Sequence, residues 1–430
     1  MKNLKPKILF TYLIITAAII IPFYGYSQAN NTVLLKTLID STIQNYPIIK
    51  QAALYEEQWE VEVDQVKKRN LPQVQFNGKA TYQNEVIGLG LKIPGMEIDE
   101  LSKDQYRFSL DIQQSIYKGN ASGKQKELYA TKKEASIKQM EVELNQLKRS
   151  VIGIFYGLIF NTKQSQILTT YRQQLSEKSS ELNSLVKNGM ALQSSSDAIQ
   201  LELLKLEQNI IEVKNDRVKL VRNLSELSGL QLDTSMVFKD IDRNISASAN
   251  QQRPEFALME LQQKSLENSK NLIGAKYLPN IYAFGTAGVG RPGFNYLSND
   301  FADFYMVGIG VNWKLWTWQE GKREKQILDI NSRLIETKKE AFLKSVKTNI
   351  NSYEADIATQ QELLKKDEKI IEIQHRITIT SEKQLLNEII TSSQYVDEMQ
   401  KEQKYKLEYE IHKIKLNLAK LNWLWEMGEI

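Results

Sequence analysis

Reactive side chains are sparse in this 430-residue sequence, and none of them forms a recognisable catalytic pattern. There is no cysteine, and His375 and His412 lie 37 residues apart in polar stretches, where we expect both to be surface residues. Residues 288–293 have the sequence Gly-Val-Gly-Arg-Pro-Gly and match the Gly-x-Gly-x-x-Gly pattern of dinucleotide-binding motifs. The helix that such a motif requires is not predicted to follow it. The sequence therefore predicts no enzymatic activity, no metal site and no cofactor.

Two acidic residues, Asp197 and Asp397, follow polar stretches at which the chain is predicted to reverse direction. If several copies of the chain surround one axis, each acid becomes a ring of carboxylates, and rings of charge at a constriction select or gate what passes. Alternatively, an acid near the start of a helix simply interacts favourably with the helix dipole. The residue types alone leave both interpretations open.

Unusually long helices are predicted to position these acids. Residues 322–427 contain neither proline nor glycine, the two residues that a helix interior tolerates least. A polar cluster near residue 390, which includes Asn387, Thr391 and Ser392, predicts a tight reversal that ends in a helix N-cap. The stretch is therefore predicted to form two antiparallel helices, the longer of which extends roughly 100 Å at about 1.5 Å per residue.

Apolar residues in the long helices recur on alternating steps of four and three, which is typical of coiled-coil packing. The seams are formed by Met140, Leu144, Leu147, Val151, Ile154, Leu158 and Leu168, by Leu203, Leu206, Ile210, Val213, Leu220, Leu224 and Leu227, and by Leu407, Ile411, Ile414, Leu418, Leu421 and Trp425. Because Lys, Glu and Gln occupy most other positions, one helix face is predicted to contact water. Both the wall of a water-filled tube and a coiled coil without a pore fit this pattern.

The first 27 residues have the features of a cleaved secretory signal peptide. Lys2, Lys5 and Lys7 precede the apolar stretch 8–21, and the small-residue site 25–27 follows it. A retained membrane anchor is the alternative. A chain without cysteine cannot carry a lipid-modified cysteine, so we predict no lipid anchor. Without the leader, basic and acidic residues nearly balance, and we predict no nucleic-acid partner.

The chain after this leader contains an internal repeat. Pro47 and Pro72 recur as Pro254 and Pro279 at an offset of 207, and the offset falls to 198 in the helical hairpins. The predicted organisation is a first repeat at 28–229 (a helix, strands 73–84 and 104–117, hairpin 121–229), a polar connector at 230–252, and a second repeat at 253–430 (a helix, strands 279–289 and 303–316, hairpin 320–428).

The predicted strands alternate between apolar and polar residues over about ten positions, which is typical of a membrane β-barrel wall. After the leader, no apolar run reaches the ~20 residues of a membrane-spanning helix. Predicted to face lipid are Val74, Phe76, Tyr82, Phe108, Leu110, Ile112, Val307, Ile309 and Val311, and predicted to form an interfacial aromatic girdle are Tyr117, Trp313, Trp316 and Trp318. An ordinary two-sided sheet packed on a soluble core is the alternative.

Two repeats supply only four strands, which are too few to close a barrel. Unpaired backbone N–H and C=O groups at an open sheet edge are strongly unfavourable in lipid, so a membrane location requires several chains to share one barrel. The stretches 86–103 and 290–303, rich in Gly, Pro, Asn and Asp, would then form its outer turns. The sequence predicts a mainly α-helical protein with a membrane β-barrel part.

Short motifs recur along the chain in a definite order and spacing: Tyr46-Pro47 and Arg253-Pro254-Glu255 open the repeats, Leu71-Pro72 and Leu278-Pro279 enter strands, Asn188-Gly189 precedes the first hairpin turn, and Leu-Ser-Gly229 closes that hairpin. In the order and spacing of these motifs, the sequence resembles the TolC family of outer-membrane efflux proteins over nearly all of the chain after the leader. The resemblance implies a homotrimer whose twelve strands form one barrel in the outer membrane of a Gram-negative bacterium. An α-helical tunnel would continue this barrel across the periplasm.

The resemblance also implies a passive exit duct of a tripartite efflux pump or type I secretion system, for drugs, metal ions or proteins. Its periplasmic tip would stay closed until a periplasmic adaptor and an inner-membrane pump engage. An alternative from another class is a periplasmic coiled-coil structural or adaptor protein with the strands as a soluble cap.

At the tips, the resemblance suggests particular gate residues. Asp197 corresponds to the acid of the family's first tip, and Gln394 and Asp397 occupy the positions of two acids at the second tip, so one acid is absent here. The Arg and Tyr of the family's gate network correspond to Ile390 and Leu385. A glycine expected before the second tip corresponds to Asn387, a residue type that also tolerates positive φ.

Overall fold

A computed structural model describes residues 32–86, 101–239 and 253–429. The predicted signal peptide, most of the predicted outer turn 86–103 and the stretch 240–252 lie outside these residues. Within the described ranges, no helix combines the length and the hydropathy needed to cross a membrane.

Long helices and a few strands make up the described chain. In order they are β1 (Thr32–Leu34), α1 (Leu35–Asn45), a 3₁₀ helix (Pro47–Lys50), α2 (Gln51–Lys68), β2 (Gln73–Tyr82), β3 (Asp104–Tyr117), α3 (Ala121–Lys187), α4 (Gln193–Ser228), β4 (Val237–Lys239), α5 (Pro254–Lys276), β5 (Asn280–Arg291), β6 (Ala302–Asn312), α6 (Glu320–Leu386) and α7 (Ser392–Met427). Each repeat therefore contains one helix of 67 residues, α3 or α6, followed by one of 36 residues, α4 or α7.

Residues that start or stop a helix set the ends of these rods. Gly229 and Gly428 follow α4 and α7 with φ of 68° and 79°, a left-handed conformation that glycine adopts readily at helix C-termini. At the start of α7, Thr391 forms a capping box with Gln394, which satisfies backbone N–H groups that have no partner inside the helix. Pro254 begins α5, where its missing N–H removes no helical hydrogen bond.

One antiparallel sheet contains β2, β3, β5 and β6 in that order, so β2 and β6 are its edges. The hairpins β2–β3 and β5–β6 meet through β3 and β5, whose register shifts between Ser115 and Tyr117. The strands are 10 to 14 residues long, and ~9–11 tilted residues suffice to cross a bilayer. Among the described residues, no further strand pairs with either edge.

The helices follow the same lateral order as the strands that they adjoin. Near the sheet, α2, α3, α5 and α6 are successive neighbours. Farther from the sheet, α4 packs on α3, α6 packs on α7, and α7 joins the two pairs by contacting both α3 and α4. One lateral edge of the chain is therefore formed by β2, α2 and α4, and the other by β6 and α6.

An apolar core lies along the middle of α3, where α1, α4 and the end of α7 meet it. Leu38, Phe155 and Leu224 have no exposed surface there. A short parallel sheet of β1 with β4 packs against this core and inserts Phe238. Residues 237–239 of the predicted polar connector thus have a structural role, and α1 and the β1–β4 sheet are elements that no pattern in the sequence predicts.

The helical repeat of the structure differs by one residue from the repeat read in the sequence. Ala121 and Glu320 begin α3 and α6 at an offset of 199 rather than 198. The residue with positive φ in the second turn is consequently Glu388, at 58°, which corresponds to Gly189, at 72°. Asn387, for which positive φ was expected, has φ of −96°. The physical reason is that an equivalent backbone hydrogen bond closes each turn, with the donor five residues after the acceptor. In the first turn the N–H of Met190 donates to the carbonyl oxygen of Leu185, and in the second the N–H of Ile389 donates to that of Gln384.

Candidate functional site

All nine residues predicted to face lipid lie on one face of the four-stranded sheet. Paired across the strands on this face are Val74 with Ile112, Phe76 with Leu110, Phe108 with Val289, Ala283 with Ile309, Ile281 with Val311, Gly285 with Val307, and Tyr82 with Asp104. The nine side chains are 42% to 79% exposed in the single chain. Such a contiguous apolar surface marks a contact with lipid or with another protein. We name it the apolar sheet face.

The opposite face, named here the polar sheet face, is hydrophilic along β2 and β3. Asp111 accepts hydrogen bonds from the side chains of Asn77, Ser109 and Thr286. One carboxylate therefore joins β2, β3 and β5. Such a hydrogen-bonded network is expected on a surface that contacts water rather than hydrocarbon.

The four aromatic residues predicted for the membrane surface lie where the sheet joins the helices. Tyr117 ends β3, whereas Trp313, Trp316 and Trp318 follow β6, and all four are exposed. The predicted strand 303–316 is too long, because the chain leaves the sheet after Asn312 and turns into α6 with positive φ at Trp318. Trp313 Nε1 donates to the carbonyl oxygen of Tyr277 (3.2 Å), and the rings of Trp316 and Trp318 meet edge to face at 5.8 Å.

Of the gate candidates at the hairpin turns, Asp197 and Asp397 are exposed and lie beyond the first turn of α4 and α7. Because the helix-dipole effect falls off within the first turn, it gives these acids little stabilisation. Asp197 accepts a hydrogen bond from Gln193 at 2.8 Å. Gln394 instead belongs to the helix cap, where its Oε1 accepts from the backbone N–H of Thr391 at 2.8 Å. Within the described chain, no hydrogen bond or ion pair brings these three candidates together.

A buried lysine links the two hairpins near their turns. Lys178 of α3 is 5% exposed, and its Nζ lies 2.7 Å from Glu181 and 2.9 Å from Glu382 of α6. The same Nζ lies 5.9 Å from the ring centroid of Tyr395 in α7. Burial lowers the pKa of Lys178, but its hydrogen bonds to the two glutamates outweigh this, and the pKa is raised. We name Lys178, Glu181, Glu382 and Tyr395 the tip clamp.

The sequence offers no signal for the tip clamp. α3 and α6 are rich in Lys and Glu, and the sequence does not distinguish a buried lysine or glutamate of these helices from an exposed one. Only the packing of three helices around position 178 distinguishes this lysine from its neighbours.

Both histidines pair with carboxylates across α6 and α7. His375 Nδ1 lies 3.0 Å from Glu402, and His412 Nδ1 lies 2.6 Å from Asp367. The surface location predicted for both is wrong for His412, which is only 20% exposed because it packs against the buried Asp367. Burial raises the pKa of Glu402, but hydrogen bonds from partners that include Lys406 outweigh it, and the pKa is lowered.

The Arg253-Pro254-Glu255 motif forms a buried ionic network at the start of α5. Arg253 pairs with Glu255 at 2.8 Å and with Glu426 at the end of α7, and both Arg253 and Glu426 are buried. Glu426 also accepts a hydrogen bond from Asn349 of α6 at 3.2 Å. The motif therefore connects three helices and stabilises the fold.

Groups of three or more residues able to hold a metal ion are absent from ranges 32–86, 101–239 and 253–429. The candidate functional surfaces are thus the two sheet faces, the unpaired lateral edges and the hairpin turns.

This architecture is shared with solved structures of outer-membrane proteins. VceC, an outer membrane protein of Vibrio cholerae, has a TM-score of 0.67 at 11% identity, with 92% of this chain and 96% of that chain covered. CusC, described as forming a transmembrane channel, has a TM-score of 0.70 at 10% identity over 91% of both chains. The CmeC outer membrane channel of Campylobacter jejuni has a TM-score of 0.67 at 12% identity, with 92% and 85% covered. No protein-family model and no curated protein sequence matches this chain.

These similarities confirm the predicted fold class: the chain has the fold of the TolC-type outer-membrane efflux channels. The printed descriptions of the solved structures that share it are of outer-membrane proteins and channels.

Proposed function

We propose that this protein is a homotrimeric outer-membrane channel that serves as the passive exit duct of a tripartite efflux pump or type I secretion system. The observation that carries the proposal is that the described chain leaves the same two lateral edges unpaired from sheet to hairpin turns. Another copy of the chain lying against each edge would complete it.

Exposed apolar residues along the helical edges support this assembly. On α4 they are Leu201, Leu204 and Ile211, and on α6 they are Ile370, Ile373 and Ile377. Their intervals of three, four and seven residues are those of a coiled-coil seam. The α6 edge of one chain packed against the α4 edge of the next would bury both seams.

The strand directions also allow several chains to close one barrel. In the order β2, β3, β5, β6 each strand is antiparallel to the next, so β6 of one chain and β2 of its neighbour would continue the alternation. Three chains with four strands each give a twelve-stranded barrel, an even number as in bacterial outer-membrane barrels. The apolar sheet face would then contact lipid and the polar sheet face would line the lumen.

The hairpin turns provide a surface for a periplasmic adaptor and, through it, an inner-membrane pump. Met190 and Leu192 are exposed at the first turn, and Leu386 and Ile389 at the second. Apolar residues exposed together at the end of a solvated rod favour a contact with another protein. Asp197 and Asp397 lie close in sequence to these turns and remain the candidates for an acidic gate.

A periplasmic adaptor with a soluble β cap, the second candidate, requires some element to cover the apolar sheet face. No element within the described residues covers it. The membrane channel is therefore the function that the geometry favours.

The decisive experiment is to purify the full-length protein in detergent, count the chains per particle by light scattering, and reconstitute it in planar lipid bilayers. We expect three chains per particle and discrete conductance steps. Release from membranes by salt or alkaline wash, with sedimentation as a monomer without detergent, would contradict the proposal.

A further inference from the structure

The outer ends of two aromatic rings lie over glycine residues on the polar sheet face of β5 and β6. Tyr282 is opposite Gly310 and Phe284 is opposite Gly308. A Cβ atom added at either glycine would collide with the ring that faces it. The glycines thus allow aromatic rings to cover the polar sheet face along β5 and β6. Along β2 and β3 the same face carries polar side chains.

The loop after β5 adds a further ring and brings the rings to a cation. Phe294 packs on Phe304 with 4.6 Å between ring centroids. The guanidinium carbon of Arg107 lies 5.7 Å from the centre of the first ring and 5.1 Å from that of the second. Phe304 is only 7% exposed, whereas Phe294 is 41% exposed. An accessible ring therefore lies beside a guanidinium at the end of the sheet that is distant from the helices.

Positive charge dominates this end of the polar sheet face. Lys79 lies directly opposite Arg107 in the β2–β3 register. Asp111, the one carboxylate that the four described strands place on this face, already accepts three hydrogen bonds. Arg107 forms no ion pair within the described chain, although the nearby Arg291 pairs with Asp104 at 2.6 Å.

The chemistry of this arrangement defines the ligand that fits it. A guanidinium within about 6 Å of two ring centroids is attracted to them by cation–π interaction, and its N–H edge matches the two oxygens of a carboxylate. An exposed phenyl ring beside it stacks favourably with another aromatic ring. The complementary molecule has both a carboxylate and an aromatic body.

We infer that Arg107, Phe294 and Phe304 form a binding station for aromatic carboxylate anions near the outer end of the channel lumen. The inference rests on the proposed function, because these residues face a lumen only if the barrel closes. It also identifies aromatic organic acids as one class of cargo. In a trimer the station would occur three times around the axis.

The test measures the block of single-channel current by 2-naphthoate, added on the side of the bilayer that the β5–β6 loop faces. 2-Naphthylmethylammonium serves as a cation of similar size. We expect naphthoate, but not the cation, to interrupt the current, and Arg107→Gln to raise the half-blocking concentration at least tenfold. Phe294→Leu should raise it about threefold, and Arg107→Lys should give an intermediate value because it keeps the charge but loses the planar guanidinium that binds a carboxylate through two hydrogen bonds. The matched control is Arg323→Gln, an exposed arginine of α6, which should leave the block unchanged.

The outcomes separate the inference from the proposed function. Absence of conductance in the wild-type protein would count against the channel itself. Normal conductance with equal block of wild type and Arg107→Gln would overturn the binding station alone. Conductance without probe reports assembly of each variant, and if Arg107→Gln does not assemble, wild-type block in both Arg107→Lys and Phe294→Leu would likewise overturn it.

Discussion

At the scale of single residues, the orientation of each strand side chain determines what a substitution does. Leu110 and Ile309 belong to the apolar sheet face, and Gln113 lies on the polar sheet face of the same strand as Leu110. A period of two separates these faces, so residues that are neighbours in sequence have opposite environments.

Lysine at Leu110 or Ile309 should impair membrane assembly, because a charge near the bilayer midplane destabilises a barrel by ~2–4 kcal/mol. The measurement is the yield of folded protein extracted from outer membranes with detergent. Gln113→Lys is the control on the other face and should assemble normally. Equal yields from all three variants would show that the apolar sheet face does not meet lipid.

Replacing both Asp197 and Asp397 with Ala should increase or deregulate conductance in planar bilayers and weaken the preference for cations, because rings of carboxylates attract cations. Removal of two exposed acids farther along α4, by Glu207→Ala with Glu212→Ala, controls for the loss of charge. Unchanged conductance and cation preference in the first variant would exclude an acidic gate at these positions.

The residues of the apolar sheet face could be predicted from the sequence because alternation along a strand reveals which residues share a face. The residues at the tips could not be predicted equally well. Gln394 occupies an expected gate position, yet its side chain caps a helix, and the repeat offset of 199 makes Asp397 equivalent to Ala198 rather than to Asp197. A shift of one residue in the repeat offset cannot be detected from the sequence when both turns are short and polar.

At the scale of elements, buried polar pairs fix how the helices lie against one another. The tip clamp joins α3, α6 and α7, and the network around Arg253 joins α5, α6 and α7. The long helices themselves were predictable from the absence of proline and glycine. Their polar connections were not, because burial depends on neighbours that are distant in sequence.

Arg253→Met should lower the free energy of unfolding by ~3–5 kcal/mol, because it leaves the carboxylate of Glu426 buried without its cation. The double variant Arg253→Met with Glu426→Gln should recover part of this loss, since the uncompensated charge is removed. Thermal unfolding of the protein in detergent measures both. A double variant no more stable than Arg253→Met would contradict a charge-based explanation.

The pH dependence of the hairpin tips follows from Glu402 and Lys178. The pKa of Glu402 is lowered on folding, so its contribution is present above the unfolded pKa of about 4.3 and is lost as the pH falls through the folded value. The pKa of Lys178 is raised, so its contribution is present below about pH 10.4 and is lost as the pH rises through the folded value. The protection factors of amides near the turns, which correct measured exchange rates for the pH dependence of intrinsic exchange, should therefore stay high between about pH 4.3 and 10.4.

Glu402→Gln tests the part of this pH dependence that lies at low pH. It should remove the loss of protection at low pH and leave the loss of protection at high pH, which depends on Lys178, unchanged. If protection is still lost at low pH in Glu402→Gln, other carboxylates cause that loss.

At the scale of the whole molecule, the two unpaired edges specify how copies would join. Because the chain contains no native cysteine, engineered cysteines report contacts without background. Phe76 of β2 and Val307 or Ile309 of β6 have side chains on the same sheet face, at opposite edges.

Phe76→Cys combined with Val307→Cys or Ile309→Cys should yield oxidised products of two and three chains on denaturing gels and none larger, because three copies close the ring. Phe76→Cys with Leu110→Cys pairs neighbours within one chain and is the positive control for oxidation. Phe76→Cys alone should give no three-chain product. A ladder that continues past three chains would indicate an open assembly.

The repeated order of helix, two strands and hairpin was predictable at this scale, since it follows from prolines and glycines at regular intervals. The small β1–β4 sheet and α1 were not predictable. β1 and β4 have three residues each and pair across about 200 residues of chain, and such short segments carry almost no periodic signal.

The junction between β3 and β5, and between α3 and α5, joins the first repeat of the chain to the second. In the proposed trimer, each boundary between subunits would also join a second repeat to a first. Six similar units would then alternate about the axis with approximate sixfold symmetry, and a peptide connection would cross only every other boundary. A polypeptide opened between Lys239 and Arg253 would keep every described strand pairing, so two separately expressed halves should be able to reassemble into the same ring.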